Sequence, residues 1–333
     1  MLGPLNNMKG EYCLLTKKDI DKILSDRNIK IGAEFEFIIP NISEGARKRI
    51  KKWSAMSVAY YEYDIYEDLL GKYVDGIKRK PPKVPKYAHD LGYCDGDIIP
   101  DPDEVMKKPK GEMSQLVDDY LRLDKWPIDN PIISDDTYFK EKDRWIIKPD
   151  YSLSGAGVEL VTPVLSLKKF LEVVPKILKC IDEYGRTDKS CGLHFSISLN
   201  NDKNLNKVID LIKLVTFIDE KYIYKLFHTR KGNDYAKSAH EDLIYNIEIH
   251  KKLKLDTGHW QAVNTEHLRR KNKYIEFRYL GGPNYQKKWK DIKKITAMYI
   301  QALRLACNNR NKAEYKNRIE SIFGGRYAKM FKV

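Results

Sequence analysis

Four short stretches of this chain alternate strictly between apolar residues and a second, chemically reactive set. In "IGAEFEFII" (31–39), Ile31, Ala33, Phe35, Phe37 and Ile39 alternate with Gly32, Glu34 and Glu36. In "GLHFSISL" (192–199), Leu193, Phe195, Ile197 and Leu199 alternate with Gly192, His194, Ser196 and Ser198. In "YIEFRYL" (274–280), Ile275, Phe277 and Tyr279 oppose Glu276 and Arg278, and in "GVELV" (157–161), Val158 and Leu160 oppose Glu159. Side chains two apart in a strand share a face. Each stretch is therefore predicted as a strand with one face for a core and one face for chemistry. Buried carboxylates are costly unless something pairs with them. The shared polar face is accordingly expected to meet water or cations.

The segments between these strands read as helices. "TKKDIDKILSDRN" (16–28) offers a threonine cap with Ile20, Ile23 and Leu24 at helical spacing. "SLKKFLEVVPKILKCIDEYG" (166–185) is amphipathic, with Pro175 as a point where a kink is expected. Further helices are expected over 203–227, 239–252, 286–308 and 310–321, and strands at "WQAVNTEHL" and "KYIEFRYLGG". Strands separated by long helices, each with one apolar face, predict an α+β fold with helices covering one face of the sheet. Residues 1–40 are expected to hold the first helix and first catalytic strand, 144–310 the core, and 311–333 a terminal helix and tail. The intervening 41–143 is irregular and rich in Tyr, Lys and Pro, and reads as an insertion or lid. It also contains a basic stretch near 43–53, an acidic turn-rich stretch at 94–104 and a helical pattern at 112–123.

The 333 residues carry 61 Lys+Arg against 47 Asp+Glu, a net charge of +14. That excess favours an anionic partner, whether nucleotide, nucleic acid or acidic surface, although lysines spread along a chain also make an ordinary solvated surface. Interleaved aromatic and basic residues in 41–143 add nucleic acid as a further candidate partner. No apolar run approaches the roughly 18 residues a membrane span requires. The start, "MLGPLNNMKGEYCLL", lacks the pattern of a signal peptide. Five scattered cysteines without a CxxC pair suit a reducing compartment, with the cytoplasm expected, and exclude a cysteine zinc site.

Taken singly, an E-x-E pair is an ordinary solvated face, a strand histidine is a hydrogen-bonded residue, and E-x-R is a same-face ion pair. Their joint occurrence on four apolar-backed strands points instead to a metal and phosphate site. Glu34 and Glu36 lie roughly 6.5–7 Å apart along one extended strand. That spacing suits two divalent ions about 3.5–4 Å apart, each held by different carboxylates. Oxygen donors favour Mg²⁺ or Mn²⁺, and the Arg278 fork matches phosphate oxygens. Together these residues describe a nucleoside triphosphate site.

The ordered set "GAEFEF", "KPDYSLSGAGVELVTP", "CGLHFSISL", "AVN" and "YIEFRYLGG" resembles the amidoligases of the glutamine synthetase/glutamate–cysteine ligase superfamily of carboxylate–amine ligases. The likeness covers about 31–39 and 145–308, with a gap between them longer than the family pattern. It implies a curved, mostly antiparallel sheet backed by helices, with ATP and Mg²⁺ or Mn²⁺ on the concave face. It also implies ligation of a carboxylate to an amine through an acyl phosphate, with a peptide or protein among the candidate substrates. By motif, Glu34, Glu36, Glu159, Glu276 and His194 resemble metal ligands. Arg278 resembles the arginine that stabilises the transferring phosphoryl group, and Arg230, in "HTRKGNDYA", a second cation on phosphate or carboxylate. His194, Asn264 and Ser152 resemble nucleotide or active-site contacts, and Asp150 resembles a group near the amine. The rival expectation is an inactive relative, a basic nucleic-acid-associated or virion component. A phosphotransferase or metal-dependent hydrolase is the third reading.

Overall fold

The computed structural model describes residues 15–40, scattered positions within 63–84 and 117–121, and most of 122–331. The basic stretch near 43–53, the acidic stretch at 94–104, most of the 112–123 pattern, Cys13 and Cys94 lie outside the described residues. The chain opens with α1 (Lys17–Leu24), β1 (Ile29–Ile38), β2 (Ile132–Ile133), β3 (Ile146–Pro149), β4 (Gly157–Val161) and β5 (Leu165–Ser166). It continues through α2 (Leu167–Tyr184), β6 (Gly192–Leu199), α3 (Leu211–Thr216), α4 (Glu220–Leu226) and α5 (Ala239–His250). Last come β7 (Val263–Asn264), β8 (Ile275–Gly281), α6 (Trp289–Ala306), α7 (Lys312–Phe323) and the short α8 (Gly325–Ala328). The architecture is α+β. It divides into two compact units, Met1–Glu36 with Val161–Val333, and Phe37–Leu160.

In the first unit β5 and β6 flank β1, β8 lies beside β6, and β7 lies beside β8, every pairing antiparallel. The register sets Glu34 opposite His194, Ser196 opposite Glu276, and Asn264 opposite Glu276. Directly opposed residues share a face, so the alternation expected from each strand becomes one polar face across three strands. The other face is dry: Ile31, Phe35, Phe195, Ile197, Ile275 and Phe277 are fully buried. Phe170 of α2 meets Phe195 edge-on at 5.1 Å, and Tyr299 of α6 stacks on Phe277 at 4.3 Å. Each fully buried side chain of this kind stabilises the fold by about 1.5–3 kcal/mol.

Element ends follow from local chemistry. Thr16 and Asp19 close a capping box on α1, and Ser166 caps α2 by accepting from Lys169 N–H. α2 runs on both sides of Pro175 as one helix. The helical region expected over 203–227 is two helices where it is described, because Asp219 caps a new start by accepting the Tyr222 N–H at 2.9 Å. The strand expected at "WQAVNTEHL" is paired only at Val263 and Asn264. The Asn264 side chain accepts the Glu266 N–H at 3.0 Å, turning the chain into a 3₁₀ segment, Glu266–Arg269.

In the second unit β2 and β3 pair in parallel, and β4 lies next to β3. The Asp150 N–H donates to Gly157 O at 2.9 Å across the intervening turn. A Cβ at Gly157 would stand 2.4 Å from Leu153 Cβ and 2.8 Å from Asp150 O, so only glycine fits there.

Candidate active site

The polar face of the first unit converges on Glu276. Its Oε1 accepts from Arg278 Nη1 at 2.5 Å and its Oε2 from Asn264 Nδ2 at 2.8 Å. His194 Nδ1 lies 3.3 Å from Glu34 Oε2 and 3.7 Å from Glu276 Oε1. Ligand atoms of Glu34, His194 and Glu276 all lie within 4.8 Å of one another. These three side chains come from β1, β6 and β8, three neighbouring strands.

The protonation states suit a cation. Burial holds the His194 pKa well below the ordinary imidazole value, and the Arg278 charge adds to this against the opposing pull of Glu276. The ring is therefore neutral, the form that ligates metals. Burial works against ionisation of Glu276, but the Arg278 guanidinium, with hydrogen bonds from Arg278 and Asn264, holds its pKa below the ordinary carboxylate value. His194 Nε2 is buried and makes no hydrogen bond among the described residues, with Glu36 Oε1 3.4 Å away. Nδ1 is thus turned to the Glu34/Glu276 side and Nε2 to Glu36. The ring's hydrogen bond runs from Nδ1 to Glu34 Oε2 at 3.3 Å, and a neutral imidazole can turn the lone pair of either nitrogen to a cation. Two carboxylates and one neutral imidazole could together hold a divalent cation.

Glu36 stands on the other side of the imidazole from Glu34. Its Oε2 accepts the Gly192 N–H at 2.5 Å. A Cβ at Gly192 would sit 2.4 Å from His194 Nε2 and 2.8 Å from Glu36 Oε2, so the glycine of "CGLH" makes room for both. Gly281, at φ +131°, lets β8 approach: a Cβ there would stand 2.4 Å from Cys191 O.

Two arginines border the cluster. Arg278 donates from Nε to Tyr235 O at 3.1 Å as well as to Glu276. Arg230 is 2% exposed and donates from Nη2 to Arg278 O at 3.2 Å, while its Nε has no hydrogen-bond partner. No carboxylate forms an ion pair with Arg230 among the described residues. Burial lowers its pKa, and the nearby Glu36 charge works in the opposite direction. A buried guanidinium without an ion pair is costly, and an anion would remove that cost.

The sequence-predicted residues fall in both units. Glu34, Glu36, His194, Arg230, Asn264, Glu276 and Arg278 come together in the first unit, with Asn264 holding Glu276. Asp150, Ser152 and Glu159 lie in the second unit. There Lys148 Nζ pairs with Glu159 at 2.9 Å, and Asp150 Oδ1 accepts from Ser152 N and Oγ at 2.8 and 2.7 Å. Burial, with the Glu159 charge adding to it, raises the Asp150 pKa.

Sequence reasoning missed three features. His267 stands 3.9 Å from Glu276 Oε2 and stacks on Tyr274 at 4.2 Å, but it lies past the end of β7 where no alternation marks it. A bulge sets Arg278 and Tyr279 of β8 against His194 alone on β6, since Leu193 pairs with Leu280 and Phe195 with Phe277. Bulges re-aim side chains beside sites, and this one falls on the proposed phosphate arginine. Gly192 was visible only as a polar-face position, whereas its requirement comes from two side chains on other positions.

The family described as "Putative amidoligase enzyme" matches residues 27–280 of the chain. Among solved structures, the cryo-electron-microscopy structure of Plasmodium falciparum glutamine synthetase is similar at 16% identity and a TM-score of 0.34, covering 90% of this chain and 56% of that one. The chain thus spans little more than half the length of that protein. No curated protein matches it.

Proposed function

The chain belongs to the amidoligase family, and from that premise we propose that it is an ATP-dependent, divalent-metal-dependent carboxylate–amine ligase. One observation carries the proposal. Glu34, neutral His194 and ionised Glu276 converge beside two guanidiniums, and one of those, Arg230, is buried without an ion pair among the described residues.

In this reading Glu34, His194 and Glu276 hold a divalent ion, which supplies neutralisation of phosphate charge. Arg278, fixed by Glu276 and the Tyr235 carbonyl, presents its fork to the transferring phosphoryl group, where negative charge develops. Arg230 provides a second, preorganised cation for a phosphate or carboxylate oxygen. The γ-phosphoryl group of ATP passes to a substrate carboxylate oxygen, releasing ADP. The amine nitrogen then attacks the acyl carbon, phosphate leaves with the C–O bond electrons, and the amine proton is lost as the amide forms. Asn264 acts by holding Glu276 in place. The proposal rests on residues of the first unit alone.

The test is release of ADP and phosphate that requires both a carboxylate and an amine, with a product mass equal to their sum less one water. No binding of Mg-ATP at millimolar concentration, together with a Glu34→Gln variant indistinguishable from wild type, sinks the proposal.

A further inference from the structure

Two large aromatic side chains stand exposed on the segments whose backbone is hydrogen-bonded to Arg278: Tyr235 at 43% and Trp260 at 47%. Their rings are in contact, with centroids 5.1 Å apart and planes inclined by 38°. The backbone beneath them is tightly held. Arg278 Nε donates to Tyr235 O at 3.1 Å, and Tyr235 N–H donates to Asn233 Oδ1 at 2.9 Å. Lys237 N–H donates to Trp260 O, and Arg278 N–H to Ala262 O, both at 2.9 Å. The pair is thus exposed yet built on a pinned frame, and that frame includes the arginine of the site. Rigid Tyr and Trp side chains beside Arg are the residue types that dominate binding energy.

We propose that Tyr235 and Trp260 form the platform on which the base of the nucleotide stacks. This deepens the function proposed above and rests on it. The ligand must present a flat π surface at one end and anionic oxygens within reach of Arg278 and Arg230. A nucleoside triphosphate joins both in one molecule. Base–aromatic stacking needs ring surface within reach of the base, and both side chains are exposed over more than two fifths of their area. The segment carrying Tyr235 begins at buried Arg230 and turns outward through Gly232, at φ +73°. One loop therefore carries both the anion contact and one wall of the platform.

The experiment is calorimetric titration of the full-length protein with Mg-ATP and, separately, Mg-tripolyphosphate, which has the phosphates but no base. The Trp260→Ala and Tyr235→Ala variants both leave intact the Tyr235 carbonyl that anchors Arg278. The expected result is Mg-ATP affinity reduced roughly tenfold or more in each variant, tripolyphosphate affinity unchanged, and recovery in Trp260→Phe. Variants that bind Mg-ATP as wild type does overturn the platform and leave the rings to the acceptor substrate. Equal loss of both ligands also overturns it, since the effect is then on the phosphate site. If wild type binds tripolyphosphate and Mg-ATP equally well, the platform alone is refuted. If it binds neither, the nucleotide reading itself falls, and the platform with it.

Discussion

Glu34→Gln isolates the proposed ion site from the fold. Glu34 is the most accessible member of the cluster, its side chain 33% exposed, against 6% for Glu276 and 3% for His194. Its contact with His194 spans 3.3 Å to a neutral ring, and its charge acts on the Arg278 guanidinium. Losing one carboxylate charge here leaves the Arg278–Glu276 pair at 2.5 Å intact. The metal-free variant should therefore differ from wild type by less than about 1 kcal/mol, the scale of a weakly coupled, part-exposed charge pair. The response to ions is different. An ion that binds only the folded state at about one hundred times its dissociation constant stabilises it by roughly 2.7 kcal/mol. Thermal unfolding of wild type in EDTA and in millimolar Mn²⁺ or Mg²⁺ should show that stabilisation as a rise in Tm, and Glu34→Gln should lose most of it. Equal ion-dependent shifts in both proteins would refute the assignment of Glu34. So would a variant already much less stable in EDTA, because Glu34 would then be serving the fold.

Three further outcomes follow from the same geometry. Arg230→Met should raise the metal-free unfolding free energy by about 1 kcal/mol or more, because a buried guanidinium without an ion pair is replaced by an apolar chain, while abolishing the affinity for Mg-tripolyphosphate; calorimetry and thermal unfolding read the two effects separately. Gly192→Ala should cost about 1–3 kcal/mol by overpacking and erase the ion-dependent Tm shift, because the new Cβ would stand 2.4 Å from His194 Nε2 and 2.8 Å from Glu36 Oε2. Burial raises the Asp219 pKa above its ordinary value, so its contribution to stability is fully present below the unfolded-state pKa and lost as pH rises through the folded one. Asp219→Asn keeps a capping side chain for the Tyr222 N–H and should be the more stable protein at pH 7, with the two urea midpoints converging toward pH 4.

What was legible in the sequence was what a strand repeats every second residue. Period-two alternation is local, so Glu34, Glu36, His194, Glu276 and Arg278 could be assigned to polar faces from their own neighbours. The family match over 27–280 agrees with the motif resemblance. Asn264 could be picked out by motif, yet its work, holding Glu276 from the adjacent strand, depends on register. Glu159 shows that the pattern does not name a side chain's partner. Its alternation was as clean as that of Glu276, but no local signal announced that Lys148 would pair with it at 2.9 Å.

The sequence by itself thus determined which side chains are chemical and which are apolar, because backbone pleat alone decides that. Only the tertiary structure decided which carboxylates meet at one imidazole, that Glu36 turns to the Gly192 amide, and that Arg230 is buried without an ion pair among the described residues. Those outcomes depend on strand register, on a bulge beside Arg278 and on glycines that admit a neighbour's atoms. They are interactions between residues far apart in the chain, and their energies exist only once the strands are side by side.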